Sequence, residues 1–284
     1  MPRVLLLFLL LAVSALAADP ALRDQVADLL KQRKWPEARA ILESLTAAEP
    51  ANAEAWQSLG QTCLALGDND KAIVALEKSA QLEPTNSLYQ CVLGDAYGSA
   101  AMKAGLFSKL SLAKKCKAAY DRAVELDPKS LRARWSLMEY CRQAPGIAGG
   151  GMEQAYAQAA EIKKLDPARG RAAYGNLYLA EKKYDEAFAL YEEVLREKPG
   201  DDDALYNIGR VASLSGQRLD FGLTALRELR THENGNTPRV HARIGNILEK
   251  QGDKAGAKIA YEAALALDPK YGQALDGLHR LGVN

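Results

Sequence analysis

Three histidines, His232, His241 and His279, are the first place to look for acid–base or metal chemistry, and all stand near the C-terminal end. They form no HExxH pair, and the chain has no G-x-S-x-G nucleophile elbow and no Gly-Lys-Ser/Thr phosphate loop. Asp201-Asp202-Asp203 is an acidic run at a helix start, where carboxylates suit the helix dipole. As a calcium loop it lacks the required Gly and the distal Glu. The four cysteines, Cys63, Cys91, Cys116 and Cys141, include no CxxC pair, so their spacing speaks against zinc and thioredoxin-like chemistry. They read as small buried hydrophobes, with a disulfide among them as the open alternative. Catalysis needs a nucleophile, base or metal cluster that can be brought together, and no such set stands out. The chain is therefore expected not to be an enzyme and to carry no metal or cofactor.

One stretch could still cradle a phosphate. Gln143–Gly151 (QAPGIAGGG) is rich in glycine and precedes a helix starting at Met152. Backbone N–H groups at such a place can hold an anion. Here no strand precedes, no Gly-Lys-Ser/Thr follows, and Glu153 would repel the anion, so the segment reads as a flexible turn.

The composition narrows the remaining classes. Of 284 residues, 48% are hydrophobic and 26% charged, which fits neither a disordered tail nor a polytopic membrane protein. With 37 basic and 36 acidic residues the net charge is +1, and nothing marks a nucleic-acid binder. Met1–Ala17 reads as a secretory signal peptide: Arg3 is the basic start, Val4–Val13 the apolar core, and Ala15-Leu16-Ala17 the cleavage site. Cleavage after Ala17 removes Arg3 and no acidic residue, taking the charge from +1 to 0. The apolar run is short for a bilayer, and no cysteine follows the cut to carry a lipid. The expectation is a periplasmic or secreted protein with no stable membrane span after cleavage; the alternative is an uncleaved anchor.

What must position any binding residues is a repeat. Ala53–Pro84 contains Trp56, Leu59, Gly60, Gly67 and Ala72 and closes on Glu83-Pro84. Gly60 and Gly94 lie 34 residues apart, as do Gly175 and Gly209, and prolines recur at 50, 84, 128, 167, 199 and 269. Gly60 and Ala72 would let two antiparallel helices cross closely, Leu76 would fill the crossing, and Gly67 would end the first helix in the left-handed conformation. This period and these residues resemble the tetratricopeptide repeat, over nearly all of residues 18–284. The resemblance implies an all-α fold, an α-solenoid of about seven antiparallel helix pairs wound as a superhelix, with a final capping helix over Tyr271–Leu281. Two departures stand out. Gly94 and Pro128 are 34 residues apart against 24 for Gly60 and Pro84, so about ten residues are inserted around Gly98–Lys115. Their helical composition predicts longer helices or an added turn. The second departure is Gln143–Gly151.

In the family, the first helix of each repeat lines a groove through its second, fifth, ninth and twelfth positions. The matching residues here include Gln57, Asp95, Arg132, Trp135, Glu139, Arg142, Arg169, Asn176, Tyr206, Arg210 and Arg239. They hold five arginines and two carboxylates, so the resemblance implies a locally basic face. His241 falls where Trp56 stands in its repeat and is expected to pack. One subgroup of the family holds a peptide's terminal carboxylate between three repeats; the matching residues are Asn176, Asn207, Arg239 and Arg243, with Ala172 where that subgroup has Lys. Guanidinium forks and amides suit carboxylates. The function so implied is a non-catalytic scaffold that binds a peptide or protein partner in its groove. The alternative is a carrier of a small ligand or glycan.

Overall fold

The computed structural model describes residues 20–283, so the signal-like segment Met1–Ala17 lies outside the described residues. Among the described residues there are fifteen α-helices, one short 3-10 turn and no strand. The helices gather into two compact units, one ending at Glu161 and one beginning at Ile162.

The first unit holds α1 (Pro20–Lys31), α2 (Trp35–Ala48), α3 (Ala53–Ala65), α4 (Asn69–Leu82), α5 (Ser87–Lys103), α6 (Leu106–Leu126), α7 (Leu131–Gln143) and most of α8 (Met152–Leu165). The second holds α9 (Pro167–Ala180), α10 (Tyr184–Glu197), α11 (Asp202–Ser215), α12 (Leu219–Leu229), α13 (Pro238–Lys250), α14 (Lys254–Leu267) and α15 (Gly272–Arg280). Seven pairs and a last helix result, as the repeat implied, and within each unit the pairs stack in chain order.

Local sequence starts and stops these helices. Asn52, Asp68, Asn86, Ser130, Asp166, Asp201 and Asp253 each accept a hydrogen bond from a backbone N–H of the following first turn. Such a cap contributes about 1 kcal/mol. Pro36, Pro167 and Pro238 occupy the first turns of α2, α9 and α13, where their missing N–H costs nothing. Gly67 turns the chain out of α3 at φ +77°, in the left-handed region.

Five of the seven pairs are held in register by one recurrent contact. Gly60 faces Leu76, Gly94 faces Tyr120, Gly175 faces Tyr191, Gly209 faces Leu226 and Gly245 faces Tyr261, each so closely that an added Cβ would overlap the partner. The bulky partner follows its glycine by 16 or 17 residues, except that Tyr120 follows Gly94 by 26. The ten extra residues are absorbed as helix: α5 runs 17 residues and α6 runs 21, against 13 and 14 in α3 and α4. The lengthened end of α5 lies along the preceding pair. There Ser99 donates to Asn69 Oδ1 at 3.0 Å, and Lys103 donates to the Gly67 carbonyl at 3.1 Å.

The second departure is closed rather than flexible. Gly149, Gly150 and Gly151 donate their N–H groups to the carbonyls of Gly146, Pro145 and Cys141. Tyr140 donates to the carbonyls of Ala113 and Ala148 at 2.8 and 2.7 Å, tying the loop to α6. With those N–H groups taken, the three glycines have none to offer a phosphate. All four cysteines are buried and free. Burial raises each thiol pKa, that of Cys116 to about 12.

The last helix caps the final pair. Gly277 of α15 sits against Tyr261, and Arg280 pairs with Glu249 at 2.9 Å while donating to Asn246 Oδ1 at 3.2 Å. No helix among the described residues is long and apolar enough to cross a membrane.

Candidate functional site

After three of the five register glycines, the next residue meets the following repeat. Asp95 follows Gly94, Asn176 follows Gly175, and Asn246 follows Gly245. Each accepts from an arginine one repeat onward: Arg132 to Asp95 at 3.0 Å, Arg210 to Asn176 at 2.9 Å, Arg280 to Asn246 at 3.2 Å. Tyr120 and Tyr261, the bulky partners in two of these pairs, add their hydroxyls to the same acceptors at 2.7 and 2.8 Å. Tyr191 does not. Its hydroxyl is buried and has no partner, and burial raises its pKa to about 12 against the pull of Arg210 and Arg171.

Within the second unit, further contacts of this kind lie on α11 and α13. Arg243 Nη1 donates to Ser213 Oγ at 3.3 Å, and Ser213 donates to the Arg210 carbonyl at 2.9 Å. Arg243 Nε is buried without a partner. The Arg239 guanidinium lies over the Tyr206 ring, 4.5 Å from its centroid, a cation–π contact. Tyr271 stands beside this group: burial raises its pKa, Tyr206 adds to the rise, and Arg243 and Arg239 oppose it. Thr237, which opens α13, leaves its buried hydroxyl without a partner.

The sequence-derived residues divide accordingly. Asn176, Arg210, Tyr206, Arg239 and Arg243 fall on α9, α11 and α13 in the contacts just given. Asn207 is on α11, but its amide donates to the Asp203 carbonyl of its own helix at 2.8 Å. Arg169 is held by its helix cap, 3.5 Å from Asp166. Arg132 and Trp135 belong to the first unit, where Arg132 is paired with Asp95. Arg142 is paired with Glu139 at 2.6 Å. The basic excess implied for the face therefore narrows to Arg210 and Arg239, joined by Arg243. None of the three has a carboxylate partner among the described residues. Gln57, also expected on the face, is buried between α3 and α4, where it accepts from Ser79 at 3.0 Å. His241 packs as expected, 2.7 Å from Asn236 Oδ1.

Sequence reasoning missed Tyr191, Ser213, Thr237 and Tyr271. Tyr191 carried a signal: a phenol in the place that Leu76 and Leu226 fill puts a hydroxyl past the glycine, where it needs an acceptor.

Among the described residues, no cluster of His, Cys, Asp or Glu could hold a metal ion. Three tetratricopeptide repeat family models match the chain, one at residues 23–87 and 152–202, the others at 178–242 and 238–271. The chain belongs to the tetratricopeptide repeat family. Such repeats are in general protein-interaction scaffolds, and the fold is in general non-catalytic. A tetratricopeptide repeat protein of Parabacteroides merdae has a similar fold, at TM-score 0.65 and 15% identity over 92% of this chain and 98% of that one. A thermophilic repeat protein of Thermus thermophilus is similar at TM-score 0.52 and 21% identity, over 68% of this chain and 97% of that one. In sequence, the cellulose synthase operon protein C of Pseudomonas fluorescens (strain SBW25) is 30% identical over 145 residues. That match takes in 48% of this chain and only 11% of the relative's length.

Proposed function

We propose that this repeat protein is a non-catalytic scaffold of the bacterial cell envelope whose second unit holds a carboxylate-bearing peptide segment of a partner protein. The observation that carries the reading is an excess of donors. On α11 and α13, Arg210, Arg239 and Arg243 have no carboxylate partner, and Arg243 Nε, the Tyr191 hydroxyl of α10 and the hydroxyl of Thr237, just before α13, are buried without any partner. Buried donors without acceptors cost free energy, which an acceptor-rich ligand would restore. The planar Arg239 on Tyr206 offers both an apolar face and a fork for a carboxylate.

Acidic peptides with free and with amidated C-termini, titrated into the purified chain by calorimetry, test this. The free acids are expected to bind, and Arg239→Ala combined with Arg243→Ala to abolish binding. Unchanged affinity in the double variant refutes the assignment. The envelope location rests on Met1–Ala17 read as an export signal. N-terminal sequencing of the exported protein should begin at Ala18, and an intact Met1 would refute it.

A further inference from the structure

Both departures from the repeat meet at one place in the first unit. A cleft of about 650 Å³ is lined by the lengthened part of α5 and α6, by α7 and by the start of the glycine loop. Gly98, Met102, Lys109 and Ala113 come from the first departure, and Gln143 to Pro145 from the second. Trp135 of α7, which the repeat pattern marked for the face of its helix, lines the same cleft. Its wall is fixed by the Tyr140 hydroxyl, which joins Ala113 to Ala148.

Two observations describe an occupant. First, the cleft is apolar and open: Met102 at its edge is 82% exposed, and Ile147 in the adjoining turn is 72% exposed. Large apolar side chains left in water beside a cleft mark an interaction surface, and methionine adapts to varied apolar partners. An open trough takes one face of an elongated segment rather than enclosing a whole small molecule. Second, two of its three charged lining residues are already neutralised. Asp95 is held by Arg132 and Tyr120, and Glu139 by Arg142 and Gln143. Lys109 has no carboxylate partner among the described residues.

We propose that this cleft seats an amphipathic peptide segment of a partner protein, with apolar side chains against Met102 and Trp135 and an acidic side chain on Lys109. The proposal rests on the reading that the chain binds peptides, but it uses a different unit and different residues. The two departures are then the walls of a second binding site, beside the groove positions Asp95, Trp135 and Glu139.

The test is a selection from a random short-peptide display library on the full chain carrying Arg239→Ala and Arg243→Ala, so that the second-unit site contributes nothing. The selected peptides are expected to share apolar residues and an Asp or Glu. Met102→Glu should weaken them about tenfold, the loss of one good apolar contact. On a chain with Lys109→Glu, the same selection should return Lys or Arg in place of the acid. Failure to enrich any peptide, enrichment without apolar residues, or affinities that neither variant changes would each overturn the proposal. Lys109 and Met102 are exposed, and thermal melts of both variants check that they fold. Enrichment on this background stands even if the second-unit reading fails.

Discussion

Arg210 donates to Asn176 Oδ1 at 2.9 Å, across one full repeat, and the Tyr191 hydroxyl beside them is left without an acceptor. The tyrosines at the same place in two other repeats reach theirs, Tyr120 on Asp95 and Tyr261 on Asn246 and Glu249. A single phenol is thus buried at the cost of its hydrogen bond.

Tyr191→Phe should leave stability unchanged or raise it by up to about 1 kcal/mol, because it removes an unpaired buried donor. Tyr261→Phe should cost about 1–2 kcal/mol, because it breaks bonds to Asn246 and Glu249. Urea denaturation of the two variants gives the comparison; equal losses would mean that Tyr191 has a partner in solution. In the Tyr191→Phe chain the affinity for carboxylate peptides is expected to fall.

Gly245→Ala should destabilise the second unit by about 1–3 kcal/mol, since its methyl would overlap the Tyr261 ring in a packed core. Gly272→Ala meets nothing within 4 Å and lies at the start of α15, so it should gain about 0.4–1 kcal/mol by restricting the unfolded chain. Thermal melts of both variants against the parent measure the contrast, and a stable Gly245→Ala protein would show that the crossing is looser than drawn.

Burial holds the His241 imidazole below its ordinary value of 6.5, with Arg230 adding to the shift. The folded ring is neutral and donates from Nε2 to Asn236. The unfolded chain takes up the proton first as acid is added, so this residue's contribution is complete above pH 6.5 and is lost as pH falls through the lower folded value. Urea midpoints should therefore drop as the pH falls below 6.5, and His241→Gln should flatten that drop. A slope that persists in the variant would assign the effect to other groups.

Much of the fold was legible because the register residues are spaced by contact. Gly60, Gly94, Gly175, Gly209 and Gly245 announce the crossings, and each proved to face a bulky partner. The excess of ten residues between Gly94 and Pro128 was visible too. Its helical composition pointed to longer helices or an added turn, and it made longer helices; what no local pattern showed is that the added end of α5 reaches Asn69 and Gly67 in the preceding pair. The glycine loop looked open because its hydrogen bonds run back to Cys141 and Pro145, which no local pattern shows. The basic face was overdrawn for a similar reason. Arg132 finds Asp95 a repeat away, and Arg169 turns to its own cap, so a count of arginines overstated the charge free for a ligand.

The glycine that faces a bulky residue in five of the seven pairs works as a key that fits only one slot. Because the key is a contact and not a count, 16, 17 or 26 residues can separate its halves while successive pairs stay in phase. Length added between the halves changes what one pair offers to the outside, and its extra turns rest on the preceding pair through Ser99 on Asn69 and Lys103 on Gly67. New recognition surface can therefore accumulate on this chain one hairpin at a time.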